Sequence, residues 1–461
     1  MKNELKFTLI LALFILAILI FFDFKSSLSA ETNELVSIRF INSLLFGGVV
    51  VLTYHTAILL TKNYTVAFFG ASSTIFTFLL VNSFIGWTHT LTVFLILLGF
   101  YSFLKFEQNK RMKFLILLSF SIGFVFVVRY LDIIFFIPIS IYLIFHLLKD
   151  HKIKFLLVFI VLSAIFSLPA FVFNYLAFGD PLLSPYHMRP FSLPPHPKVN
   201  IVEFQFERLP INIYNIFINF DPNNVLPYTE DTDYKFRSFK SSIFQSSPFL
   251  VFSIFGFLTL RKILSKKVFW ILLSSLSLIA IFYGSLKFYG GGWTTNMRYF
   301  SPIIPFLSIF SSSFIFHHVK FYKIDKVFLF TLFFVFLLLS KIFFVTLQEQ
   351  SVLSSYHPKQ FMNMFNLGAY LISAAMVVTC VQLNLRKVFS KYFIPAVYFF
   401  LLYLGFLMNF FVDGYFSFHG SKSDLFISNI MSGNLILTFI FIFSVIFILL
   451  KINSYFRFFK A

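Results

Sequence analysis

Three groups of polar residues interrupt an otherwise apolar chain, and their types and spacing suit them to anion chemistry. The first is Arg129-Tyr130-Leu131-Asp132, set between two strongly apolar segments. Charges at i and i+3 share one face of a helix, so the pair reads as a local ion pair capping a turn. It reads equally as an arginine facing a cavity, because the planar guanidinium fork pairs bidentately with carboxylate or phosphate. The second group is Lys287-Phe-Tyr-Gly-Gly-Gly-Trp-Thr-Thr-Asn-Met-Arg298-Tyr299, followed by Pro302 and Pro305. Three consecutive glycines, Gly291 at their centre, let backbone approach a ligand closely. With basic flanks and nearby aromatics they suit a phosphate on a lipid. The other reading is a tight re-entrant turn whose Tyr289, Trp293 and Tyr299 anchor a membrane interface. It is not a Walker loop, since no Gly-Lys-Ser/Thr follows the glycines. The third group is the carboxylates Asp23, Glu31 and Glu34, close to Arg39.

The elements that must position these groups are membrane helices. Of 461 residues, 59% are hydrophobic and 12% charged, where a soluble domain carries about 25% charged. With mean hydropathy at +0.87, this composition excludes a soluble enzyme, a disordered chain and a disulfide-stapled secreted domain. Apolar runs long enough to cross about 30 Å of hydrocarbon predict fourteen spans. They fall at about 7–22, 40–61, 65–85, 89–106, 114–129, 132–148, 155–177, 248–260, 268–286, 300–318, 327–347, 362–384, 392–412 and 429–450.

The net charge of +19 maps the connections between these spans. Every second connection is basic: Lys2/Lys6, Lys62, Lys105–Lys113, Lys149–Lys154, Arg261–Lys267, Lys320–Lys326, Arg386–Lys391 and Lys451–Lys460. These hold 23 Lys/Arg against Glu4, Glu107, Asp150 and Asp325, and the rest of the chain holds 14 residues of each sign. The whole excess thus falls on one face, which the positive-inside rule makes cytoplasmic, with both termini inside. Spread over eight short loops, the charge gives no motive for nucleic-acid binding. Residues 1–30 read as a retained first span, with a cleavable signal peptide as the alternative.

The predicted organisation is an N-terminal transmembrane module (1–177), an extracytoplasmic cap (178–247) and a C-terminal transmembrane module (248–461). The cap is the one large hydrophilic segment, rich in proline, and contains Phe178-Gly179-Asp180-Pro181-Leu182 and then Tyr186-His187. Its length predicts a folded, functional element rather than a linker. A single cysteine, Cys380, excludes a disulfide framework. The ten histidines show no ligand spacing, so no metal is expected.

In order and topology these motifs resemble the GT-C membrane glycosyltransferases, most closely prokaryotic relatives of the dolichyl-phosphate-mannose protein mannosyltransferases. The resemblance is carried by short outer turns, basic inner loops, Gly123…Val128-Arg129-Tyr130…Pro138, Phe178-Gly179-Asp180-Pro181-Leu182 before Tyr186, and Gly290-Gly291-Gly292-Trp293…Arg298-Tyr299…Pro302…Pro305. It covers about residues 36–310. It implies an all-α GT-C-like fold in the cell membrane. The implied activity is transfer of a sugar from a polyprenyl-phosphate carrier to a glycan, lipid or protein acceptor outside, without a metal cofactor.

By that resemblance an acidic residue of the first outer loop is the base. Asp23 is the first candidate, because it stands where the first span emerges, followed by Glu31 and Glu34. Its other reading is an interfacial charge ending a helix. Arg129, Lys287 and Arg298 are then the cations at the departing phosphate, with His89, Tyr186, His187, Gly291, Trp293 and Tyr299 lining the substrate. The chain departs from the family pattern in its first outer loop, which is short and lacks an adjacent Asp-Glu pair, and in carrying His89 where an Asp is common. A non-catalytic protein that binds a lipid-linked sugar or assists a partner is therefore a second expectation. A lipid or solute transporter is a third.

Overall fold

The computed structural model describes residues 33–79, 88–182, 204–218, 242–286, 297–321, 394–395 and 397–402. Among these residues the secondary structure is helical throughout, apart from one isolated bridge between Phe204 and Leu286. The helices are α1 (Asn33–Thr61), α2 (Tyr64–Ile75), α3 (His89–Asn109), α4 (Met112–Arg129), α5 (Ile137–Lys149), α6 (Ile153–Phe178), α7 (Leu209–Phe217), the single turn α8 (Ile243–Ser246), α9 (Ser253–Ile263), α10 (Lys266–Gly284) and α11 (Ile304–Phe321). Four 3-10 segments join them, at Tyr130–Phe136, Phe206–Arg208, Pro248–Phe252 and Arg298–Ile303. Among the described residues six stretches are long and apolar enough to cross a membrane. The chain is a helical membrane protein.

The longest of the six, Met112–Lys149, has 38 residues, about twice a bilayer's thickness in helix. Packing shows that it is two passes. Gly99, Phe103 and Glu107 of α3 meet Phe136, Tyr142 and again Tyr142, and Lys110 meets His146, so α3 and α5 run parallel. On α4, Ser119, Gly123 and Phe126 meet Phe159, Phe166 and Phe171, so α4 and α6 also run parallel. The chain must therefore reverse between α4 and α5. It does so at Arg129, whose extended backbone (φ −154°, ψ 86°) ends α4, and through the 3-10 segment after it. Pro138 then opens α5 at a position where its missing N–H costs nothing.

The bundle thus has two ends. At the Lys110 end the links between α1 and α2, α3 and α4, and α5 and α6 are two or three residues long, and each contains one left-handed residue: Lys62 (φ 52°), Lys110 (φ 50°) and His151 (φ 53°). The Lys110 N–H caps α3 by donating to the Phe106 carbonyl at 2.7 Å. Basic side chains here also complement the negative end of the helix dipole. At the opposite, His89 end, α3 begins and α4 and α10 finish.

Span 65–85 differs from expectation. α2 ends at Ile75, Phe76 and Thr77 form a turn, and Phe78 and Leu79 are helical again. The cause is a run of hydroxyls. Ser73 Oγ donates to the Phe69 carbonyl, Thr74 Oγ1 to Gly70 and Thr77 Oγ1 to Thr74, at 2.5, 2.8 and 2.7 Å. Such back-bonding competes with the helical ladder, and hydropathy does not register it.

The core lies along α3 and α11. Of the His89–Asn109 span 72% is buried, against 11% of α6, which therefore lies on the outside of the bundle. Where α9 crosses α11, a Cβ on Gly256 would stand 1.8 Å from the Phe310 carbonyl oxygen, so only glycine permits this backbone contact.

Candidate functional site

The helix end at Arg129 creates the site. Leaving α4 there and entering a 3-10 segment brings Asp132 back beneath Arg129, with Nε and Oδ2 3.3 Å apart. Both residues are buried, at 7% and 0% exposure. The local ion pair expected from their spacing is present, yet it is only part of the arrangement. Tyr283, in the last turn of α10, donates its hydroxyl to Asp132 Oδ1 and accepts a hydrogen bond from Arg129 Nη2 at 3.3 Å. An ion pair local in sequence is thereby tied to a distant helix, which gives each buried charge a hydrogen bond beyond the pair itself.

Tyr299 covers this network. Its ring stacks on Tyr283 at 5.2 Å and lies 5.3 Å from the Arg129 guanidinium and 5.9 Å from that of Arg298. His89, in the first turn of α3, lies nearly parallel to the same ring at 6.4 Å. Three of the residues expected at the site, His89, Arg129 and Arg298, therefore gather around the ring of a fourth, Tyr299. They come from three separate elements.

Part of the cap segment docks at the same end. The Gln205 N–H donates to the Ser285 carbonyl at 2.7 Å, and Asn212 Nδ2 donates to the Gly284 carbonyl at 2.8 Å. Phe217 packs edge-on against Phe300 at 6.2 Å.

Glu34 lies at the start of α1, which runs parallel to α3 and so begins at the His89 end; its side chain lies outside the described residues. Asp23, Glu31, Tyr186, His187, Lys287, Gly291 and Trp293 also lie outside them. Among the described residues no three His, Cys, Asp or Glu side chains gather as a metal would require.

One participant escapes sequence reasoning. Tyr283 stands in an apolar span of a chain holding 21 tyrosines and 76 phenylalanines, and no motif separates it from belt aromatics. Asp132 is visible in the sequence as Arg129's neighbour, and the structure adds its contact with Tyr283. Arg129 and Tyr283 stand at its two oxygens, and its side chain is fully enclosed.

Comparison with family models, curated proteins and solved structures finds no match.

Proposed function

We propose that this protein is a GT-C-like glycosyltransferase of the cell membrane, with fourteen spans, both termini cytoplasmic and the His89 end facing outside. It transfers a sugar from a polyprenyl-phosphate donor to a hydroxyl of a glycan, lipid or protein. The acceptor oxygen bonds to the anomeric carbon, the bond from that carbon to the phosphate oxygen breaks, and the hydroxyl proton passes to a carboxylate. Asp23 is the proposed base, with Glu31 and Glu34 next. Arg129, Lys287 and Arg298 stabilise the polyprenyl phosphate as it leaves.

The observation that carries this reading is the convergence of Arg129 and Arg298 on the ring of Tyr299, with His89 on the same ring. Guanidinium forks suit the oxygens of a phosphodiester, and the buried setting strengthens their pull on developing charge. Asp132 is engaged by Arg129 and Tyr283, so the reading needs a base from elsewhere. That same engagement favours the binding-only alternative, in which the site holds a lipid-linked sugar without turning it over.

Reconstituted protein supplied with a panel of polyprenyl-phosphate sugars separates the two. The wild type turns over one donor, and Arg298→Ala lowers kcat/KM for it by about 100-fold, the loss of one strong electrostatic contact. Asp23→Asn lowers kcat with little change in donor binding. Turnover at the wild-type rate by both variants defeats the site assignment. Donor binding without turnover by the wild type establishes the alternative. Orientation is tested in Cys380→Ser protein: single cysteines at 290–292 are expected to react only with outside reagent.

A further inference from the structure

Residues 204–218 are apolar on both sides, with two asparagines on the buried one. Asn212 and Asn215 lie on the buried side of α7, at 4% and 8% exposure, beside the fully buried Ile216. The opposite side presents Ile211, Tyr214 and Ile218, 57%, 47% and 44% exposed, and Phe206 precedes them at 63%. Positions 211, 214 and 218 recur at the helical period and so form one stripe. A helix resting on a protein in water buries such a stripe and exposes its asparagines. This one does the reverse.

Its attachment fixes its height. Asn212 Nδ2 bonds the Gly284 carbonyl, Gln205 bonds the Ser285 carbonyl, and Phe204 bridges to Leu286. A Cβ on Gly284 would meet Leu209 and Ile213 at 2.9 and 3.0 Å, so α7 lies directly against the end of α10. The segment is thus tied to the residues at which the span Lys266–Gly284 finishes. The apolar surface is also continuous with that span. Phe204 packs edge-on against Phe282 at 5.2 Å, and Phe206 stacks on Phe204 at 5.8 Å. Ile281, next to Phe282, is 45% exposed on the flank of the span.

We infer that α7 is an interfacial helix, with its Ile211–Tyr214–Ile218 stripe seated in the acyl region of the leaflet from which α10 emerges. The partner is the phospholipid of the host bilayer. Glu207 and Arg208, exposed at the start of the helix, sit at headgroup level, and Tyr214 offers an apolar ring with a polar tip, as belt residues do. The inference rests on membrane insertion of α10 and not on any transferase activity.

The test uses the full chain with Cys380→Ser in nanodiscs of phosphatidylethanolamine and phosphatidylglycerol. Single cysteines replacing Ile211, Tyr214 and Arg208 are spin-labelled in turn. Labels at 211 and 214 are expected to collide preferentially with oxygen over a water-soluble nickel chelate, at a depth of about 5–10 Å, and the label at 208 to favour the chelate. Preference for the chelate at 211 and 214 puts the stripe in water and overturns the inference. Low collision with both reagents means that protein covers it, and overturns it equally. Should a cysteine variant fail to fold, Tyr214→Trp read against the parent with bromine-labelled acyl chains gives the same answer. Added quenching supports the inference and its absence defeats it.

Discussion

Glu107 and Asp132 each hold a tyrosine hydroxyl and a basic side chain, at opposite ends of the same bundle. At the Lys110 end, Glu107 accepts from Tyr142 at 3.0 Å, from Lys110 at 2.8 Å and from Lys267 at 2.5 Å. His146 joins at 3.0 Å from Lys110 Nζ. At the His89 end, Asp132 takes Tyr283 and Arg129. α10 contributes to both, with Lys267 in its first turn and Tyr283 in its last. The ingredients match and the surroundings do not. Lys267 and Lys110 are 44% and 33% exposed at the side chain, whereas Asp132 is fully enclosed. A cluster whose lysines reach the surface staples helices, and those lysines can turn to water when a partner is lost. A closed one fixes a guanidinium beneath an aromatic ring, and each member depends on the others for its hydrogen bonds. The open cluster thus serves structure, while the closed one has the form of a site.

Substitutions sharpen this contrast when unfolding is followed in detergent. The largest effect is expected from Asp132→Ala, which leaves Arg129 buried without its counter-charge and costs about 3–5 kcal/mol. The double variant Arg129→Met with Asp132→Leu should recover most of that loss. A double variant no more stable than Asp132→Ala would show that the pair is not the source. Tyr283→Phe comes next, at about 1–3 kcal/mol, because the hydroxyl serves both Asp132 and Arg129. Smallest are Glu107→Gln and Lys267→Met, each within about 1 kcal/mol and shrinking further at high salt. Salt sensitivity equal to theirs in the Tyr283 variant would erase the distinction between the two ends.

The parts of this arrangement legible in the sequence were those with a local signature. Six apolar stretches among the described residues announce themselves by hydropathy, and the reversal at Arg129 by two charges between apolar runs; the predicted spans 7–22, 327–347, 362–384 and 429–450 lie outside the described residues. Arg129 stands out as a charge between apolar runs and Arg298 and Tyr299 by the glycine-rich turn before them, while His89 rests on the family resemblance. Tyr283 was not legible, because its role depends on which helix packs against the 3-10 segment, and spacing along the chain carries no record of that. The break in α2 was hidden for another reason. Ser73, Thr74 and Thr77 are mild enough on a hydropathy scale to pass within a span, yet their hydroxyls compete directly with the backbone. The polarity of α7 was invisible too, since a mixed short segment reads the same whichever side faces in.

The parallel pairing of α4 with α6 has a consequence for biogenesis. A chain made from its N-terminus threads α4 into the bilayer before α6 exists. Until residues 153–178 follow, the small-residue face at Ser119 and Gly123, which in the finished protein receives Phe159 and Phe166, has only lipid against it. α5 descends in the interval and does not substitute, because it packs on α6 and α10 and meets α3 through side chains rather than covering that face. The helix that buries least of itself is therefore the one that completes the packing of an earlier neighbour. Truncation before residue 153 should leave α4 an open client for the insertion machinery.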